Sequence, residues 1–304
     1  MAHSPRMAPR PHVPDILLAG PFHHDFGASA GLTPDQLRSK CWRRLFRNVS
    51  VHESVALTDQ CRLDAVRLAA PTHAVVTGLT AAWLYGTWTP PPGKAVPMHL
   101  AGSREDYGMV LSGARMSRLV LDPTDVDEWH GVPITTPERT CFGLMRASSL
   151  TEGVVWGDSF LHAGLLTSQG LMRYAVERPQ WPHIRKVRDA IALSRPGAAS
   201  QMESRLRMVI VLGGLPEPDW LNEPYYDADG TFRGIPDMRF RRPSFGIEYD
   251  GEQHAEAEHR LADLRRENGM LLGDLPLLRY VAKDVYGTPQ LIVREVGTML
   301  SRAA

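Results

Sequence analysis

The sequence has few cysteines, few lysines and no long apolar run. Its three cysteines, Cys41, Cys61 and Cys141, lie far apart without a CxxC pair, which predicts reduced thiols and no structural metal. No run of about eighteen apolar residues is present, so the sequence predicts no membrane-spanning helix. The proline-rich start, Met1 to Pro14, precedes an apolar segment that is too short for a signal peptide. These absences predict a cytoplasmic protein.

Charge is balanced over the whole chain but not between its parts. The 34 basic and 34 acidic residues cancel, so the overall charge gives no argument for nucleic-acid binding. Residues 1–200 carry 21 basic and 17 acidic residues, whereas residues 201–304 carry 13 and 17. Only four basic residues are lysine, and the other 30 are arginine, which suits phosphate, although coding bias also explains the excess. The length of 304 residues predicts more than one domain.

A short basic segment follows the start, which is predicted to be disordered over residues 1–14. Thr33-Pro34-Asp35-Gln36 predicts a helix N-terminus, with a hydroxyl cap and proline at the first helical position. The segment Trp42 to Val51 alternates loosely between apolar and basic residues, as a half-exposed strand or wing does. The basic residues of this region are Arg38, Lys40, Arg43, Arg44 and Arg47. They form either a DNA-binding face or a solvated surface.

This helix and basic wing resemble a shortened winged helix-turn-helix of the kind found at the front of the abortive-infection type IV antitoxin (AbiEi) family. Two later segments, Thr77 to Gly86 and Gly131 to Thr140, resemble parts of the middle domain of that family. Thr136-Pro137-Glu138 predicts a further capped helix. Residues 70–193 are otherwise predicted to be mostly helical with a few short strands, and residues 194–200 to be a linker.

The last third of the chain shows a regular series of predicted elements. They are a helix over Gln201 to Leu212, a strand near Pro224 to Tyr226, a turn at Asp227 to Gly230, and strands over Phe232 to Arg241 and Phe245 to Asp250. If the hairpin between the last two strands is centred at Arg242 and Pro243, paired residues have numbers that sum to 485. Asp237 then lies opposite Glu248.

Acidic residues on this hairpin predict a cation site. Because strand side chains alternate, Asp250 falls on the same face as Glu248, and Tyr249 offers its backbone carbonyl. Two facing carboxylates repel each other unless a cation lies between them. Hard oxygen ligands of this kind favour Mg²⁺ or Mn²⁺.

Ile235-Pro236-Asp237 followed by Glu248-Tyr249-Asp250 resembles the PD-(D/E)xK nuclease motif. With Gly251 and His254, a helix bearing Asp263 and Arg266, and then a strand over Leu277 to Tyr280, it resembles a family of unknown function related to the very-short-patch-repair (Vsr) endonucleases, over about residues 200–298. The resemblance implies a restriction-endonuclease fold that hydrolyses phosphodiester bonds in DNA with a divalent metal, in phage defence or repair. Asp250 stands at the lysine position of the motif, and the resemblance assigns the proton transfer to His254.

The residues implied by this resemblance fall into three groups. The catalytic group is Asp237, Glu248, Asp250, His254 and Glu203; the metal ligands are Asp237, Glu248 and the Tyr249 carbonyl; the supporting residues are Gln253, Asp263, Arg266 and Arg279. Several of these residues also have a purely structural interpretation. Ser200 and Glu203 form a capping box, and His254 is also suited to start a helix. Asp263 and Arg266 have the i, i+3 spacing of a surface ion pair.

The sequence therefore predicts an α/β protein. A restriction-endonuclease-like mixed sheet flanked by helices occupies residues 201–304, and a mostly helical region with a small winged-helix-like module at residues 15–69 precedes it. Three functions remain open. The first, which is our main interpretation, is a metal-dependent DNA endonuclease, favoured by Asp237, Glu248 and His254. The second is a non-catalytic DNA-binding regulator of the antitoxin type, favoured by the missing lysine and the acidic balance of residues 201–304. The third is a partner-binding protein that touches no nucleic acid.

Overall fold

The computed structural model describes residues 13–71, 74–91, 94, 96–102, 114–251, 270 and 273–302. The predicted disorder of residues 1–14 falls almost wholly outside this part of the chain, as do Gln253, His254, Asp263 and Arg266. The chain divides into two compact units, residues 1–140 and residues 141–304. Helices and mixed sheets occur in both, so the predicted α/β class is confirmed. Within the described ranges, no helix combines the length and apolar character needed to cross a membrane.

The first unit begins with a small three-stranded module. After a 3-10 turn at Asp15–Leu18, its elements are β1 (Phe22–His23), α1 (His24–Ser29), α2 (Pro34–Leu37), β2 (Trp42–Phe46), β3 (Val49–His52) and α3 (Asp59–Ala69). The strands pair in the order β1-β3-β2 around a core that contains Leu17, Phe22 and Trp42. Two short helices thus precede a β2–β3 hairpin in this module, and its assignment as a winged helix stays a prediction.

A five-stranded mixed sheet forms the rest of the first unit. Its elements are β4 (Val75–Val76), α4 (Gly78–Leu84), β5 (Met98–Ala101), β6 (Ala114–Ser117), β7 (Val126–Trp129) and β8 (Val132–Thr135). The strand order is β6-β5-β4-β8-β7. These strands are only two to four residues long, and helices account for more of the described part of residues 70–193 than strands do, as the sequence predicts. Helix α5 (Pro137–Ala147) follows, and the Thr136 hydroxyl accepts a hydrogen bond from Arg139 N (3.3 Å), as the predicted cap requires.

The second unit contains six complete helices and a four-stranded sheet in its described residues. Its helices are α6 (Leu150–His162), α7 (Ser168–Val176), α8 (Ile184–Leu193), α9 (Gln201–Leu212), α10 (Ala282–Gly287) and α11 (Pro289–Ser301). Its strands are β9 (Trp220–Leu221), β10 (Tyr225–Tyr226), β11 (Phe232–Gly234), β12 (Met238–Phe240), β13 (Phe245–Tyr249) and β14 (Leu277–Tyr280). The sheet order is β14-β13-β12-β9, and β10 and β11 form a separate hairpin.

Alternation along β12 and β13 divides their side chains between the two faces of the sheet. Met238 and Phe240 on β12, and Phe245 and Ile247 on β13, are buried in one core with residues of α9 and α11. Each such side chain contributes about 1.5–3 kcal/mol when it is buried. Arg239 on β12 and Glu248 on β13 occupy the alternate positions and therefore belong to the opposite face.

The strand predicted over Phe232 to Arg241 is wrong as a single element. The structure breaks it after Gly234, so β11 pairs with β10 whereas β12 pairs with β9 and β13. Pro236, which lacks a backbone N–H, lies between the two strands and cannot donate to a ladder. The predicted turn at Asp227 to Gly230 is present, since Asp227 Oδ1 accepts hydrogen bonds from Asp229 N (3.0 Å) and Thr231 N (2.9 Å).

Candidate functional site

Helices α1 and α2 form a compact helix-turn-helix. The connecting residues, Ala30 to Thr33, include Gly31 with φ +96°, a left-handed conformation that glycine adopts at little cost. Thr33 caps α2: its Oγ1 accepts a hydrogen bond from Gln36 N (3.3 Å), and Gln36 Oε1 accepts one from Thr33 N (2.7 Å). The reciprocal capping box fixes where α2 starts, as predicted.

Basic side chains surround this second helix and the wing. Arg38, just past α2, is 70% exposed and lies 3.0 Å from Asp35 Oδ1. Lys40 and Arg44 are exposed, and Arg47 lies at the tip of the β2–β3 hairpin, also exposed. Four of the five predicted DNA-binding residues are therefore accessible to a phosphate backbone.

Arg43 differs from the other four. Its guanidinium donates hydrogen bonds to the carbonyl oxygens of Glu53 (3.3 Å) and Val55, which ties β2 to the segment after β3. Its Nε is buried and has no hydrogen-bond partner. These contacts give Arg43 a structural role, and we leave it out of the proposed DNA-contacting set.

The two segments that resemble the antitoxin middle domain lie side by side. Val76, next to the first segment, pairs with Ile134 in the second, and Tyr85 OH donates to the Thr135 carbonyl (2.9 Å). The hydroxyls of Thr135 and Thr140 are 2.7 Å apart. Burial raises the pKa of the Tyr85 hydroxyl, so this group stays a hydrogen-bond donor.

Gly78 in the first of these segments is required by its surroundings. Its φ is +55°, and a Cβ at this position would lie 2.6 Å from His99 Nδ1. The His99 ring is itself fixed, because Nδ1 accepts a hydrogen bond from Leu79 N (3.4 Å). Burial, followed by the charge of Arg115, lowers the pKa of His99 and keeps this acceptor neutral.

The hairpin register predicted for the second unit is confirmed. Met238 pairs with Ile247, Arg239 with Gly246 and Phe240 with Phe245, so each pair sums to 485. Asp237 precedes β12 in this register, and its Oδ2 accepts a hydrogen bond from Tyr249 N (2.7 Å). Asp237 and Glu248 are thus the next residues after the last observed pair, and the Asp237 side chain, not a second strand residue, accepts the Tyr249 N–H.

Glu248 is buried and already faces a positive charge. Its Oε2 lies 3.0 Å from Arg279 Nη2, the residue beside it in the parallel register of β13 and β14. Asp250 follows the strand and is exposed, and its backbone N donates to the Tyr280 carbonyl (2.8 Å). Arg279 was predicted as a supporting residue, and it neutralises the acid at the centre of the predicted site.

Glu203 is held by structural contacts. Its Oε2 accepts hydrogen bonds from Ala199 N (2.9 Å) and Asn222 Nδ2 (2.7 Å), and its backbone N donates to Ser200 Oγ (3.1 Å). Asn222 N in turn donates to the Asp237 carbonyl (3.0 Å). The capping serine is as predicted, and the glutamate joins the start of α9 to the loop after β9 instead of closing the box.

The described residues do not by themselves provide the predicted metal site. Among them, no group of three histidine, cysteine, aspartate or glutamate side chains is placed to hold an ion. Glu248 is balanced by Arg279, and one Asp237 oxygen is taken by a backbone N–H. The Mg²⁺ or Mn²⁺ site therefore stays a prediction, and Gln253 and His254 lie outside the described residues.

One cluster of arginine and aromatic side chains in the second unit was not predicted from the sequence. Trp220 pairs with Arg239 across β9 and β12, and the Arg239 guanidinium carbon lies 3.7 Å from the Trp220 ring centroid. Arg241 contacts the same ring at 4.7 Å. The i, i+2 spacing of the two arginines was the available signal, but their aromatic partner on another strand is not visible in a linear pattern.

Comparisons with known proteins bear on the middle of the chain. Residues 74–188 match the family described as AbiEi antitoxin C-terminal domain. This region is similar to an antitoxin domain. No curated protein and no solved structure matches the chain. The antitoxin resemblance is thereby supported over residues that run from just before β4 into α8, whereas the nuclease resemblance of residues 201–304 is not confirmed.

Proposed function

We propose that the chain is a DNA-binding regulator of the antitoxin type. The match of residues 74–188 to the AbiEi antitoxin C-terminal domain carries this proposal. The module that precedes this region in sequence supports it, because it has a helix-turn-helix and a wing with Arg38, Lys40, Arg44 and Arg47 exposed. Two of these exposed cations follow the short helix α2 directly and two lie on the β2–β3 hairpin, and such side chains suit contact with a duplex backbone.

Phosphate contacts dominate this mode of binding. Helix α2 has only four residues, so it offers few side chains to base edges. Arginine and lysine contacts to phosphate fix the position of a protein on DNA and carry no sequence information themselves. Each phosphate neutralised releases counterions, which makes the affinity strongly dependent on salt. We therefore expect binding to duplex DNA of many sequences, with sequence preference as a smaller addition.

Fluorescence anisotropy with a short labelled duplex tests the proposal. The full chain is compared with Arg44→Gln and Arg47→Gln, each of which removes one exposed charge from the wing. The matched control is Arg294→Gln, which removes an exposed charge from α11 in the second unit. We expect the wing variants to bind several-fold more weakly and the control to bind as the parent does. Equal affinity for all four proteins contradicts the proposal.

A metal-dependent endonuclease is the second candidate, and the pairing of Met238 with Ile247 supports it, because Asp237 and Glu248 are the next residues along the two strands. The contact between Glu248 and Arg279 weighs against it, and we derive no metal-assisted step. Plasmid and single-stranded DNA are incubated with the protein in Mg²⁺, Mn²⁺ or EDTA, beside Asp237→Asn and Glu248→Gln. If the chain is a non-catalytic regulator, the DNA stays intact under every condition. Metal-dependent cleavage that both variants abolish would establish the nuclease instead.

A further inference from the structure

Arg239 lies on the face of the four-stranded sheet that is opposite helices α9 and α11. Its guanidinium carbon lies 3.7 Å from the Trp220 ring centroid and 5.4 Å from the Tyr225 ring centroid. In the part of the chain that the structure describes, no carboxylate lies within ion-pair distance of Arg239, and its Nε has no hydrogen-bond partner. The Arg239 guanidinium is thus half-buried near two aromatic rings, with hydrogen-bonding capacity that the described residues leave unused.

The acidic residues near Arg239 do not form an ion pair with it among the described residues. Asp219 Oδ2 accepts a hydrogen bond from the backbone N of Arg241 (2.8 Å), and Glu223 is exposed. Burial is the largest influence on Arg239 and lowers its pKa, while Tyr225, Asp219 and Glu223 favour its charged form. The guanidinium remains charged because the ordinary arginine pKa is far above neutral. The charge therefore lacks a direct counterion although carboxylates lie in its neighbourhood.

Arg241 adds a second cation to the same ring. Its side chain is 63% exposed, and its guanidinium carbon lies 4.7 Å from the Trp220 centroid. Arg242 follows it in the turn after β12 and is also exposed. Three arginines thus accompany two partly exposed aromatic residues, Trp220 and Tyr225. Arginine binds phosphate in a planar, two-pronged geometry, and aromatic side chains stack on unpaired bases.

We infer that this arginine–aromatic cluster, formed by Trp220, Tyr225, Arg239 and Arg241, binds the backbone and bases of single-stranded nucleic acid. A duplex hides its bases, whereas a single strand offers both a phosphate to Arg239 and a base face to the aromatic rings. The inference goes beyond the proposed function, because it concerns another unit and another form of nucleic acid. The test of this inference is independent of the test of duplex binding by the wing.

Anisotropy with labelled oligo-dT and oligo-rU tests this inference on the full chain. Arg239→Gln is expected to weaken binding about tenfold, the effect of losing one charged hydrogen-bonding group. It is also expected to reduce the slope of log affinity against log salt by about 0.7, the value for one phosphate contact to a single strand. Arg239→Lys keeps the charge and the salt slope but loses the planar stacking, so it binds with intermediate affinity. Arg294→Gln is the control and is expected to bind as the parent does.

The two oligonucleotides and the wing variants separate the outcomes. Binding of both oligonucleotides indicates recognition of the shared single-stranded backbone, and binding of one identifies DNA or RNA as the ligand. Arg44→Gln is expected to weaken duplex binding and leave oligonucleotide binding intact. Arg239→Gln is expected to weaken oligonucleotide binding and leave duplex binding intact. If Arg239→Gln is unfolded by circular dichroism, the exposed Arg241→Gln takes its place with the same expected changes. A parent that binds neither oligonucleotide, or variants with the affinity and salt slope of the parent, would overturn the inference.

Discussion

Replacing Arg207 by methionine should destabilise the second unit by several kcal/mol. Arg207 lies on α9 with none of its surface exposed, and it contacts Asp158 Oδ2 (2.9 Å), Glu217 Oε1 (2.6 Å) and the Leu193 carbonyl (2.9 Å). Removing one partner of a buried ion pair costs about 3–5 kcal/mol, because the other charge stays buried without compensation. Asp158 keeps its hydrogen bond from Arg195 N (2.7 Å) and a hydrogen bond from the Ser204 side chain, so we expect the lower end, about 3 kcal/mol near neutral pH.

The pH dependence of this loss has a definite sign. Burial is the largest influence on Asp158 and raises its pKa above the ordinary 3.8, and Arg207 opposes that shift. In Arg207→Met the opposing charge is gone, so the folded-state pKa of Asp158 rises further. A carboxyl whose folded pKa is raised contributes stability below its unfolded pKa and loses that contribution as pH rises through the folded value. The variant should therefore be closest to the parent in acid and furthest from it at high pH.

Urea unfolding at about pH 8 and about pH 5 measures both effects. The double variant Arg207→Met with Asp158→Leu removes the unpaired acid and is expected to recover much of the loss. The exposed Arg294→Gln is the control and should change the free energy of unfolding by less than about 0.5 kcal/mol. A loss below about 1 kcal/mol for Arg207→Met, or a loss that grows as pH falls, would refute the reasoning.

Three further substitutions test the first unit by thermal or urea unfolding. Gly78→Ala should cost about 2–4 kcal/mol, because its φ is left-handed and the new methyl meets His99; a neutral result would contradict the close approach. Tyr85→Phe should cost about 1 kcal/mol through the lost hydrogen bond to the Thr135 carbonyl, and an unchanged midpoint would show that this bond contributes nothing. Thr33→Ala should cost about 1 kcal/mol by removing the cap of α2, whereas Thr33→Ser should retain it.

Local patterns were sufficient for several elements of this chain. Helix α9 and strand β14 have the predicted bounds, because each is continuous and its periodicity is complete within one segment. The register that matches Asp237 with Glu248 followed from one turn position, since the side-chain period of a strand is two.

Local sequence patterns did not predict which distant segments pair with each other. β4 has two residues, and it is joined to β8 through Val76 and Ile134, far apart in sequence. Arg279 meets Glu248 only through the parallel register of β13 and β14, and Arg43 meets carbonyls beyond the wing. These contacts decide whether a charge is available to a ligand, and the sequence alone does not contain them.

The salt dependence of duplex binding tests the proposed function most directly. Four phosphate contacts by Arg38, Lys40, Arg44 and Arg47 predict that log affinity falls against log salt with a slope of about −3.6. The variant with all four replaced by glutamine should show a slope less steep by about that amount and much weaker binding. Binding by this variant with the parent's affinity and slope would contradict the account of the chain as a DNA-binding regulator.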